Sequence, residues 1–487
     1  MKPVFYGIGI ILHVPAAMAV LSIVVCAVFG EWSGIGAFAI TAVAAAAVGQ
    51  ILVWTCRDYQ DLQRHHAMLI AALGWTIAPL VGALPFLFAA HGTLWSSPDP
   101  AAAAFMRLDN ALFESTSGFT GTGLSVVAHA SRLPHYLQWW RSFTEWIGGI
   151  GVIVLLLSIL PPSRSSLNLY FSEAREEKIL PSVKSTVRTI WSIFVLYTLV
   201  GVGLLWLAGD PLWRAINHAM TGIATGGFTI TDDSLVGAAL PVKLILIPLM
   251  LLGAVSFTAH YRLLRERSFR RAFGPEQKLF WLLVAGGSLA VVLESFWYTG
   301  QWQWVDGAFQ WVSALTTTGF YTQHLAGWYP GPLLLLVAAM LVGAQAGSTG
   351  GGIKLSRVLI MLKNMSWNLT DFDAKPHQIV RVKLGELRLS LAEANQRAQV
   401  AAMMAAAYIL VWSALVFVLL HFLPRGTPLE HVFFEAASAQ GNVGLSTGIT
   451  SESLPAIPKL LLIVLMITGR LEIFPVMVLI AWLFGRR

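Results

Sequence analysis

Charge is the first thing this chain lacks. Of 487 residues only 12% are Asp, Glu, Lys or Arg, about half the roughly 25% of an ordinary soluble domain. Beside 56% hydrophobic residues and a mean hydropathy of +0.68, that scarcity argues against a soluble protein. It points to a membrane solvent that rewards apolar surface on every side. Cysteine is also scarce. Cys26 and Cys56 are the only two, both lie in apolar runs, and there is no disulfide framework or metal-type Cys/His spacing. The apolar runs hold no paired aspartates, Ser/His pair or HExxH motif, so an intramembrane enzyme has no chemistry to start from. No cofactor motif is present and none is expected.

What the chain has is long hydrophobic stretches. Ten of spanning length fall at about 5–29, 35–56, 67–90, 136–160, 189–208, 241–261, 279–298, 331–346 continuing to 362, 398–422 and 458–484. Only the eighth reads as interrupted, by Gly347-Ser348-Thr349-Gly350-Gly351-Gly352. Glycine-rich backbone at membrane depth is tolerated only against protein or a water-filled cavity. Nineteen Trp suit aromatic belts at two interfaces. Ala17-Met18-Ala19 has the look of a signal-peptide cleavage site. The apolar run continues through residue 29, however, and is expected to be a retained helix.

Orientation follows from Lys and Arg. With the N-terminus inside, 24 of the 32 basic residues fall on the inner side, 7 on the outer side, and Arg470 lies within the last span. Both termini are therefore expected in the cytoplasm. The same bias accounts for the net charge of +7 without a nucleic-acid partner.

Between pairs of spans lie segments too short to cross, and they share a register. They are 113–125, 217–229, 309–321 and 434–446, closing on Gly123, Gly227, Gly319 and Gly444. Six residues before each closing glycine stands a hydroxyl residue: Ser117, Thr221, Ser313 and Ser438. One after it stands Leu124, Phe228, Phe320 or Leu445, and two after it Ser125, Thr229, Tyr321 or Ser446. A unit repeated in this way is one structure used several times. Each unit reads span, short helix, glycine loop, span, with the short piece entering and leaving from the outer side. The expected fold is thus an all-α polytopic membrane protein. It has four span–pore helix–span units with pseudo-fourfold symmetry plus two extra N-terminal transmembrane helices. The divisions fall at 1–64, 65–188, 189–275, 276–397 (with the broken helix and a cytoplasmic segment) and 398–487.

A bare cation needs a ring of oxygen ligands, and extended backbone supplies them when side chains point away. Glycine permits the dihedrals and the close approach. Four short-helix C-termini add partial negative charge toward a central cavity. The expected ion-binding backbone is Thr120, Gly121, Thr122 and Gly123; Thr225, Gly226 and Gly227; Thr317, Thr318 and Gly319; and Asn442, Val443 and Gly444. Gly121 and Gly226 are expected to alter local geometry. Glu114 and Glu435 read as dipole partners at the start of their helices rather than as ion ligands. His65-His66 reads as solvated in a cytoplasmic turn. The glycine run at 347–352 is not a phosphate loop, because Ile353 separates it from Lys354 and no Ser or Thr follows directly. Arg470, a charge at depth, is expected to face an aqueous path and raise the barrier to cations, with an ion pair to Glu472 or another carboxylate as the competing reading. Coupled symport, with protons or sodium, is the alternative function. It would need a titratable group near mid-depth, and Glu472 and Glu114 lie off the expected ring.

The loops at 120–125, 225–229, 316–321 and 442–446 resemble the filters of the Trk/Ktr/HKT superfamily of potassium transporters. So do Trp140-Arg141-Ser142, Trp146-Ile147-Gly148-Gly149-Ile150-Gly151, the run 346–354 and Gly469-Arg470-Leu471-Glu472-Ile473-Phe474. The layout is similar to the bacterial Trk potassium-uptake membrane subunits, over essentially the whole chain. That resemblance implies gated potassium uptake at the bacterial inner membrane by a homodimer with one pore per protomer. It implies that Gly123, Gly227, Gly319 and Gly444 are filter glycines, and glycine in all four points to potassium rather than sodium. It implies that Gly347, Ser348, Thr349, Gly350, Gly351 and Gly352 form an intramembrane gating loop with Arg470 facing the pore. It also implies a cytosolic nucleotide-binding regulatory ring subunit of the TrkA type, whose nucleotide site would be the partner's.

Overall fold

The computed structural model describes residues 1–57, 63–151, 182–372, 381–384 and 387–485. The basic residues at 164–178, Lys375 and Arg486-Arg487, counted above on the inner side, lie outside the described residues, as does the inner part of the expected span 136–160.

Two long helices open the chain, α1 (Lys2–Phe29) and α2 (Ser33–Cys56). They pack along their lengths. A β-carbon on Gly9 would meet the Gly49 carbonyl oxygen at 2.7 Å, so glycine is what allows the backbones to approach. Gly30, at φ 68, ends α1 in the left-handed cap that a β-carbon disfavours. Trp32 and Trp54 stand exposed at the two ends of α2, the placement of an interfacial anchor.

The rest is one pattern used four times. The first unit is α3 (Arg64–Gly82) continuing into α4 (Leu84–His91), the short α5 (Leu108–Thr120) and α6 (His135–Ile150). The second is α7 (Val183–Leu207), the short α8 (Leu212–Ile223), and α9 (Leu240–Ala254) with α10 (Phe257–Leu264). After the one-turn α11 (Phe269–Ala272) comes the third: α12 (Pro275–Thr299), the short α13 (Trp304–Leu315), α14 (Pro330–Val342) and α15 (Leu355–Phe372). A small antiparallel hairpin follows, β1 (Arg381–Leu384) paired with β2 (Leu387–Ser390). The fourth unit is α16 (Leu391–Phe422), the short α17 (Leu429–Gly441), and α18 (Ala456–Arg470) with α19 (Phe474–Leu483). Ser390 starts α16 through a reciprocal capping box with Glu393.

The outward faces are apolar. Leu196, Leu199 and Val200 on α7, Leu282, Leu289 and Leu293 on α12, and Leu410 and Phe417 on α16 are exposed. So much exposed aliphatic surface along spanning-length helices is a lipid contact. Among the described residues, six helices, α3–α4 taken as one, are long and apolar enough to span, and two bent pairs add to them. The chain is a multi-pass membrane protein.

The bent pairs correct the sequence reading. The spans expected at 241–261 and 458–484 are not continuous. α9 and α10 meet at 104°, and α18 and α19 at 116°. The first break is made by Ser256, whose side chain caps α10 by accepting from the Ala259 amide. The second is made by Glu472 and Ile473 at φ 51 and 70, just before Pro475. A β-branched residue at positive φ is an outlier that its surroundings must hold in place. α6 likewise ends on Gly151 at φ 102. The interruption read from 347–352 is therefore one of several at corresponding places.

Candidate functional site

The four short helices end alike. Two residues before each closing glycine the backbone turns left-handed: Gly121 (φ 66), Thr225 (51), Thr317 (57) and Asn442 (53). The closing glycines do so again, at φ 83, 87, 93 and 98. Between them, the amides of Thr122, Gly226, Thr318 and Val443 reach back to the carbonyls of Ser117, Thr221, Ser313 and Ser438 at 2.8–2.9 Å. This is a Schellman closure repeated four times. That closure uses a main-chain carbonyl, which any residue supplies, so the recurring hydroxyl six residues upstream has a separate cause in two of the loops. In loops three and four the Ser313 and Ser438 hydroxyls also accept from the Gly319 and Gly444 amides, each at 3.0 Å. In loops one and two that bond is absent, and Thr221 turns its hydroxyl to Asn217. Two threonines held in the left-handed region cost about 1–2 kcal/mol each, a strain that clusters at functional sites.

The loops close on one another in a cycle. A β-carbon added to Gly123 would lie 2.0 Å from the Gly226 carbonyl oxygen, and one on Gly227 2.1 Å from that of Thr318. One on Gly319 would lie 2.0 Å from that of Val443, and one on Gly444 2.4 Å from that of Thr122. Each glycine lies against the residue before the next glycine in the ring. All four line one cavity of about 280 Å³, together with Ser125, Thr229, Tyr321 and Ser446. Asn442 ties the fourth loop to the first by donating to Thr122 Oγ1 at 3.0 Å.

Behind the ring lie buried polar groups that sequence reading placed wrongly or missed. Glu114 and Glu435 are mid-helix, within 108–120 and 429–441, not at the helix starts. Asp109 and Glu430 occupy the first turns instead. Both carboxylates fasten the chain just after a closing glycine. Glu114 accepts from the Ser125 hydroxyl (2.8 Å) and the Val126 amide (3.0 Å), and Glu435 from the Ser446 hydroxyl (2.8 Å) and the Thr447 and Thr450 amides. Arg141, fully buried, joins loops one and two. Its guanidinium donates to Glu114 at 2.6 Å and to the Thr229 carbonyl at 2.8 Å, and it lies 4.2 Å over the Phe228 ring. Nine residues before the glycines stand Glu114, His218, Gln310 and Glu435, a polar register that could have been read from the repeat.

The glycine run at 347–352 packs against the inner ends of the loops. Thr349 Oγ1 is 3.0 Å from Thr225 Oγ1 and donates to the Gly253 carbonyl. The Gly351 amide donates to Thr317 Oγ1 at 2.7 Å, and a β-carbon there would meet the Gly441 carbonyl at 2.1 Å. Lys354 bonds back to the Gly350 carbonyl. Arg470 completes the contact with the first unit, donating to the Thr349 carbonyl at 3.2 Å and to the Gly148 and Gly149 carbonyls at 2.5 and 3.2 Å. Glu472 pairs with Arg357 of α15, not with Arg470. His65 and His66 lie ring against ring, 3.9 Å apart, at the start of α3, where the His66 ring accepts from the Gln63 amide.

The profile of the TrkH family, described as a cation transport protein, matches residues 34–484. The chain belongs to that family. Among its relatives, an uncharacterized cation transporter of Methanocaldococcus jannaschii is 33% identical over 87% of this chain and 84% of its own length. The Trk system potassium uptake protein TrkH of Salmonella typhimurium is 30% identical over 98% of both chains. The crystal structure of the potassium transporter TrkH from Vibrio parahaemolyticus aligns with a TM-score of 0.84 at 26% identity, covering 100% of this chain and 99% of that one. The TrkH family is one of cation transporters, and a helical membrane architecture is common to this chain and that crystal structure.

Proposed function

We propose that this protein takes up potassium through a pore whose selective element is the ring of four glycine loops. The closed cycle of glycine–carbonyl contacts carries this reading, because it brings four stretches of main chain around one cavity. The backbone of Thr120–Gly123, Thr225–Gly227, Thr317–Gly319 and Asn442–Gly444 would exchange its carbonyl oxygens for the ion's water. A membrane potential supplies about 2.3 kcal/mol per charge per 100 mV, enough to drive uptake without a second ion. The names of the relatives, potassium uptake proteins, support the choice of ion.

The run 347–352 and Arg470 would form the gate. They fill the inner end of the ring and connect it to all four units, so movement of α15 is transmitted to the loops. The unit boundaries at 64, 188, 275 and 397, a homodimer with one pore per protomer, a cytosolic nucleotide-binding ring as regulator, and an inner-membrane location with both termini cytoplasmic belong to the same proposal. The test is reversal-potential measurement in liposomes with potassium, sodium and proton gradients varied separately. The potential should follow potassium alone. One that follows sodium equally sinks the ring as a selective element, and one that follows protons favours the coupled alternative.

A further inference from the structure

The ring is fourfold in outline but not in how its loops are held. In loops one and four a carboxylate nine residues upstream of the glycine binds the chain just beyond it. Loop two has His218 at that register, and His218 turns away to Asp210 at 3.1 Å. The amide just past Gly227, that of Phe228, is instead held by Glu145 of α6, at 3.0 Å from Oε2 and 3.2 Å from Oε1. Glu145 is completely buried. A β-carbon on Gly226 would lie 2.4 Å from its Oε2, and one on Gly123 would lie 3.4 Å from its Oε1. The carboxyl group is thus wedged behind the side of the ring where loops one and two meet.

We propose that Glu145, lent by the first unit to the second, is the positioning residue for loop two and tunes ion preference on that side of the ring. The inference rests on the pore reading above. No side chain but Glu145 is bonded to the Phe228 amide among the described residues. The nearby charged groups are otherwise engaged. Arg141, one turn earlier on α6, spends its donors on Glu114, Thr229 and Ser125. Glu114 on α5 is held by Arg141 and the Ser125–Val126 segment. His218 on α8 faces Asp210. Arg470 of α18 donates to the Gly148 and Gly149 carbonyls and to Thr349. A carboxylate in a water-poor site beside the ring attracts a passing cation and holds the amide with a charge-assisted bond.

The experiment is the potassium/sodium permeability ratio, from reversal potentials in liposomes. Glu145→Gln keeps the shape and one acceptor for Phe228. It should still conduct, with a ratio lowered about fivefold. Glu145→Asp keeps the carboxylate on a shorter arm and should give a ratio between the two. A ratio unchanged in Glu145→Gln overturns the proposal. If that variant does not fold, a ratio in Glu145→Asp equal to that of the unaltered protein overturns it as well. Gly319→Ser serves as control. If it too leaves the ratio unchanged, the ring itself is not the selective element. If it lowers the ratio while Glu145→Gln does not, only the role of Glu145 fails.

Discussion

The α-carbon of Gly319 stands against the carbonyl of Val443, so close that a β-carbon there would be 2.0 Å from the oxygen. The same residue is held at φ 93. Gly319→Ser therefore meets backbone rather than a yielding side chain, and a non-glycine residue in that region adds about 1–3 kcal/mol of strain. The loops must part. Potassium/sodium selectivity should fall by at least about tenfold in the reversal-potential assay, with the protein still extractable as a folded species. An unchanged ratio would remove this glycine from the selective element.

Arg470 is the tie between the Thr349 carbonyl and the inner end of α6. Arg470→Ala should loosen the 347–352 run and, in the proposed gate, remove a positive charge from the ion's path. Flux without any activating partner should rise several-fold in proteoliposomes. Lysine, a point charge without the planar fork, should restore the barrier only in part. Flux equal to that of the unaltered protein would leave Arg470 a purely structural residue.

Glu114 and Arg141 form a pair whose side chains are 0% and 3% exposed. Glu114→Ala leaves the guanidinium buried without its counter-charge, which costs about 3–5 kcal/mol. A large drop in thermal midpoint in detergent is expected. The double variant Glu114→Ala/Arg141→Met should lose less than the sum of the single losses, because no orphan charge remains. Strict additivity would show that the two residues act independently.

Glu472, at the break between α18 and α19, is paired with Arg357 of α15. This connects the helix after the glycine run to the last interruption. Arg357→Glu alone should change gating and lower stability by placing two acids together. The exchange Arg357→Glu/Glu472→Arg should recover a good part of both. Failure of the exchange to recover either flux or melting temperature would mean that the pair's orientation, not its attraction, is what matters.

Several features were legible in the residues alone because they repeat. The four closing glycines and the hydroxyls six residues upstream stand at fixed register, and the structure gives every loop the same Schellman closure. Other features were not legible because their meaning depends on a neighbour. Glu114 and Glu435 read as first-turn residues, since nothing in an apolar sequence marks where a short buried helix begins. Their partners lie 11–15 residues downstream, across the loop. The breaks at Ser256 and at Glu472-Ile473 were hidden because an apolar run looks the same whether it is straight or bent. Only the glycine-rich break advertised itself.

Composition, hydrophobic run length and the fourfold register determined that this is a membrane protein of repeated span–short helix–span units, because lipid imposes those constraints locally, residue by residue. Tertiary structure alone decided that the loops close in a cycle, that Arg470 grips the 347–352 run rather than Glu472, and that Glu145 of one unit holds the loop of the next. Those contacts join residues 83 to 322 positions apart. Their energies come from burying polar groups against specific partners, and no local pattern in the chain records which partner will be there.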